Sequence, residues 1–142
     1  MSNLKATCPL DLTFASTSAV SKFRYTAPSN QKVWVRFRLI DKGAVASGWS
    51  LAEVRRATTG GTTAAATVYN LNGTDGETFQ GSAYTYTVQP NNDGTVLTYG
   101  VVKEKETLVT NPVILNGGES VDLWITPNSA SITARLVVEL EQ

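Results

Sequence analysis

The chain has 142 residues, enough for one domain that buries a core without disulfide or metal staples. Twelve basic and twelve acidic residues cancel and only 17% of residues are charged, so the charge balance gives no general attraction to nucleic acid or to an anionic membrane. Histidine is absent, which removes the usual general base at neutral pH, the commonest metal ligand and every Ser-His or Cys-His nucleophile pair.

Residues 1–8 show no hydrophobic periodicity and no apolar run of the secretory type, and are expected to form an irregular arm ahead of a single domain over 9–142. The lone cysteine, Cys8, allows no intramolecular disulfide, and with no base nearby it reads as a structural thiol. Leu10, Leu12 and Phe14 alternate with polar residues and predict a short strand behind Pro9, a residue tolerated at a strand's start. Val20–Thr26 is a second strand by the same period. Residues 33–40 form the best strand of the N-terminal half, with Val33, Val35, Phe37 and Leu39 on one face and Trp34, Arg36 and Arg38 on the other. A tryptophan beside two arginines on an outer face has two explanations. The arginines stack on the ring over a solvated sheet, or the three side chains form the centre of an interface.

Residues 44–57 fit one or two helical turns as well as a strand. The Gly60-Gly61 pair and the Thr-rich run after it favour a hairpin with residues 64–71. Residues 70–76 read as a loop, since Asp75 and Glu77 lack the alternate carboxylates of a calcium loop. Tyr84, Tyr86 and Val88 mark a strand, and the turn at 89–94 predicts a return strand over 95–102. Lys103-Glu104-Lys105-Glu106 reads as a solvated edge. Val121, Leu123 and Ile125 alternate, as do Ile132, Ala134, Leu136, Val138 and Leu140, and the two runs read as an antiparallel pair. Eight to ten short strands without a long helix predict an all-β fold, a two-sheet antiparallel sandwich of the jelly-roll kind.

No catalytic constellation emerges. Glu119, Asp122, Glu139 and Glu141 read as surface charge rather than a glycosidase pair. The glycine pairs lack the strand–loop–helix setting of a phosphate cradle. A non-enzymatic protein without cofactor or metal is expected, binding neither nucleic acid nor membrane and made in a cytoplasm.

The Thr/Ala/Gly-rich stretch 57–66 and the closing Leu-Asn-Gly-Gly-Glu-Ser-Val-Asp-Leu-Trp-Ile of 115–125 resemble the capsid decoration (cement) proteins of tailed bacteriophages. The resemblance is to the character of the whole chain and carries over no family site. It implies a virion protein that binds the outside of a capsid, clamps neighbouring major capsid subunits and forms a homo-oligomer, a trimer before a dimer. The arm would order on docking. On this reading the candidate partner-interface residues are Trp34, Arg36, Arg38, Trp124, Leu4 and Lys5. Two other readings use the same surface chemistry: a carbohydrate-binding module stacking sugars on Trp34 or Trp124, and a self-assembling capsid or tail subunit.

Overall fold

The computed structural model describes residues 4–41, 49–71, 79–103, 106–128 and 132–142. In chain order these form β1 (Lys5–Thr13), β2 (Val20–Thr26), β3 (Val33–Asp41), β4 (Trp49–Arg56), β5 (Thr62–Ala65), β6 (Tyr69–Asn70), β7 (Ser82–Val88), β8 (Thr95–Lys103), β9 (Thr107–Val109), β10 (Val113–Leu115), β11 (Ser120–Pro127) and β12 (Thr133–Glu141). The first sheet runs β10-β3-β12-β1-β6, with β9 also on β3; the second runs β5-β7-β2-β11-β4-β8.

The pairings nest. β1 pairs β12, β2 pairs β11, β3 pairs β9 and β10, and β4 pairs β8, all antiparallel. The chain thus folds as one long double ribbon, and β12 on β3 and β11 on β4 roll that ribbon into two facing sheets. This is a jelly roll. The segment 57–94 between β4 and β8 is an insertion: β7 extends the second sheet beyond β2, β5 lies outside β7, and β6 reaches the far edge of the first sheet.

Period-two alternation drives the layers together. Cys8, Leu12, Val35, Phe37, Leu136 and Val138 of the first sheet meet Phe23, Tyr25, Val54, Val121, Leu123 and Ile125 of the second, all buried. Phe23 and Phe37 cross the interlayer edge-to-face, centroids 5.9 Å apart at 75°, a geometry worth about 1 kcal/mol beyond the area buried.

Several expectations change. Lys5 to Cys8 are not part of an arm: they form the first half of β1 and pair with Val138 to Glu141. Pro9 sits mid-strand, where its missing donor costs no ladder bond because β6 covers only Ala6 and Thr7 on that side. The two C-terminal runs are strands but not partners. β11 belongs to the second sheet and β12 to the first, so they face each other across the core. Residues 49–56 are strand rather than helix, yet the expected hairpin across Gly60-Gly61 does not form, since β5 pairs β7. Nor does the turn at 89–94 return β8 onto β7; the chain crosses to the opposite edge of the sheet and pairs β4. Most of the segment 70–76 read as a loop, with Asp75 and Glu77, lies outside the described residues.

Candidate interaction surface

The outer face of the first sheet brings most of the predicted site residues together. Register places Ile114, Trp34, Glu141 and Lys5 in one row across β10, β3, β12 and β1. The next row on that face holds Arg36, Glu139, Thr7 and Tyr69, and the one after it Val109, Arg38, Val137 and Pro9. Trp34 is 48% exposed, with Ile114, Val109, Tyr69 and Leu71 also in solvent. Beside it opens a cavity of about 320 Å³ lined in part by Lys5, Trp34, Arg36, Leu71, Glu139 and Glu141.

The arginines do not stack on Trp34. Arg36 donates its Nε to Glu139 Oε2 at 2.8 Å and a second bond from its terminal nitrogen, while Arg38 donates its Nε to Glu139 Oε1 at 3.0 Å. One carboxylate thus holds two guanidinium groups in place. Burial alone would raise the Glu139 pKa, but the hydrogen bonds from Arg36 and Arg38 and their charges outweigh it and hold the carboxyl below its ordinary value. The charges of the face are largely satisfied internally, and its exposed aromatic and aliphatic groups are left for contact.

Trp124 is elsewhere. It projects from the outer face of the second sheet and is only 1% exposed, because the insertion folds over it. Its Nε1 donates to Thr58 Oγ1 at 3.0 Å, and the Arg55 guanidinium lies 4.4 Å above its ring. Asp122, two residues earlier on the same face, is buried too and accepts from Ser21 Oγ at 2.9 Å, Arg24 Nε at 2.9 Å and the Tyr86 hydroxyl. Arg24 also donates to the Thr58 carbonyl, and Gln89 exchanges bonds with the Ser21 backbone. This polar knot fastens the insertion to the sheet. Asp122 is therefore not surface charge, and Trp124 offers no interface. Their polar positions amid apolar neighbours marked the outer face; only the later segment 57–94 decides that this face is covered.

Leu4 packs against the core, and its carbonyl accepts from the Gln142 backbone at 2.9 Å, so it supports the surface from below. Cys8 is enclosed, and burial pushes its thiol up to about 11. Among the described residues no cluster of three or more metal-ligating side chains occurs, and no helix is long and apolar enough to cross a membrane.

No family model and no curated protein matches the chain. Among solved structures it is similar to the endospore appendages of Bacillus, which form disulfide-linked pili: TM-score 0.50, 10% identity, covering 99% of this chain and 87% of that one. It is also similar to the mitogen derived from Yersinia pseudotuberculosis, with TM-score 0.48 and 11% identity over 94% of this chain and 83% of that one. A fainter likeness joins it to infectious bursal disease virus, strain Gt, with TM-score 0.28 and 12% identity over 98% of this chain and 40% of that one. At these identities the likeness is one of fold.

Proposed function

We propose that the chain is a non-enzymatic structural protein that docks through the outer face of its first sheet onto the outside of a phage capsid, bridging neighbouring major capsid subunits as a decoration protein. The observation that carries this reading is Trp34, half exposed among Ile114, Val109, Tyr69 and Leu71 on a rigid sheet, with Arg36 and Arg38 fixed beside it by one carboxylate. Aromatic and arginine side chains preorganised around an apolar centre are the composition of a protein-binding hot spot. Glu139 offsets one of the two guanidinium charges and Glu141 stands opposite Lys5, so the face carries a small net charge, which suits a partner met by shape and apolar contact rather than by long-range charge. The buried Cys8 thiol leaves this chain to assemble without intermolecular disulfides while folded, unlike the appendage subunits whose fold it shares.

The test is co-sedimentation with particles of the tailed phage whose genome encodes the chain, stripped of their outer proteins. Binding should saturate at a fixed ratio to the capsid subunits, and Trp34→Ala should weaken it by about 30-fold or more, the ~2 kcal/mol of a hot-spot residue. Saturable binding to a glycan array, lost with Trp34→Ala and without any capsid binding, would instead establish the sugar-binding reading. The cavity of about 320 Å³ beside Trp34 favours that alternative.

A further inference from the structure

The edges of the two sheets are unequal. β6 has two residues, β9 and β10 three each and β5 four, whereas β8 ends the second sheet with nine. Short edges are one way proteins prevent strand addition, and charge is another. β8 uses neither over most of its length: Thr95 to Val102 carries no charged residue. Its outer face is apolar. Tyr99 is 74% exposed, and Val96, Leu97 and Val101 are exposed with it. A register shift between Val54 and Arg55 leaves Leu97 without a partner on β4, so the regular part of the edge begins at Thr98. On the core side the strand is closed, because Leu108 of β9 sits where a Cβ on Gly100 would stand, 2.7 Å away.

We propose that β8 pairs antiparallel with β8 of a second copy of this chain about a two-fold axis at Gly100, joining two six-stranded sheets into one. The strand is self-complementary in that register. Tyr99 lies opposite Val101 of the second copy, and symmetry repeats the pair, giving two aromatic–β-branched contacts on the outer face. Gly100 meets Gly100, and Thr98 meets Val102. No two like charges come together, and a chain of zero net charge adds no general repulsion. The exposed side chains of β8 and the backbone strip would bury on the order of 1,000 Å² in all, near the lower bound for a specific interface. Such a dimer dissociates at micromolar concentrations or above and is strengthened wherever copies are held side by side. The edge belongs to the second sheet and Trp34 to the first, so substitutions at Tyr99 and Val101 test the seam separately from Trp34→Ala.

Sedimentation velocity over about 1 µM to 1 mM measures the equilibrium. The expected result is a reversible monomer–dimer transition, with Tyr99→Lys and Val101→Lys each weakening it at least tenfold while far-ultraviolet dichroism stays unchanged, and with Trp34→Ala leaving it untouched. Two lysine positions guard against a variant that fails to fold. A chain that stays monomeric throughout, that forms a trimer, or that dimerises equally well with either folded lysine variant overturns the proposal.

Discussion

Asp122 and Trp124 occupy positions that alternate with Val121, Leu123 and Ile125, and alternation alone sends them to solvent. Both are buried because polar partners arrive from far along the chain: Ser21 and Arg24 from β2, Tyr86 from β7 and Thr58 from the segment leaving β4. Removing one member of a buried, hydrogen-bonded charge pair leaves the other unpaired. Asp122→Ala is therefore expected to cost about 3–5 kcal/mol, read as a fall in the urea midpoint. Thr58→Val, which strands the indole N–H of Trp124, is expected to cost about 1–3 kcal/mol on the same measure. Alkaline pH probes the interior as well. Burial pushes the Cys8 thiol from 9.0 up to about 11, and raises Tyr25 and Tyr86 also. The folded state holds these protons more tightly than the unfolded one, so their contribution is complete below about pH 9 and Cys8's share is lost as pH rises toward about 11. Lys22, lowered by burial, acts in the opposite sense as a single amine against three acids. Urea midpoints should fall between pH 9 and 11, and Cys8→Ala should flatten the first part of that fall.

At the level of elements, the positions of the strongly alternating strands were legible, while the short strands of 57–71 and 107–109 and the strand partners were not. Val20–Thr26 has its expected bounds, and residues 33–40 extend only to Asp41, because alternation is a local property of side chains. Pairing is not local. The C-terminal runs face each other across the core instead of sharing a ladder, and β8 crosses the whole second sheet to reach β4. Turn residues such as Gly60-Gly61 or Pro90-Asn91-Asn92 mark a change of direction without naming the destination. β1 was hidden for a different reason. Its start, Lys5-Ala6-Thr7-Cys8-Pro9, alternates only small residues, and Pro9 argued for a boundary where the edge in fact tolerates it. Ala6 and Cys8 are core residues, so deleting residues 1–8 is expected to remove half of β1 and collapse the fold rather than free a docking arm. Loss of the cooperative thermal transition, with low soluble yield, would show it.

Over the whole molecule, the jelly roll carries its candidate surfaces on different sheets: the Trp34 face on the first and the β8 edge on the second. The first was partly legible because Trp34, Arg36 and Arg38 share one strand, and strand parity fixes them to one face. Glu139, which holds both arginines, has the sequence signature of ordinary surface charge, since nothing local links it to residues about a hundred positions earlier. Lys5 joins the face through β1, and Leu4 supports it from the core side. Trp124 left the candidate set only when the insertion covered it. The central claim is that the Trp34 face is the docking surface, and hydroxyl-radical footprinting of the chain free and bound to stripped capsids tests it most directly. Half-exposed Trp34 should be oxidised in the free chain and protected on the capsid, with Trp124 unreactive in both states. Capsid-bound chain in which Trp34 is oxidised as fast as in solution would contradict the claim.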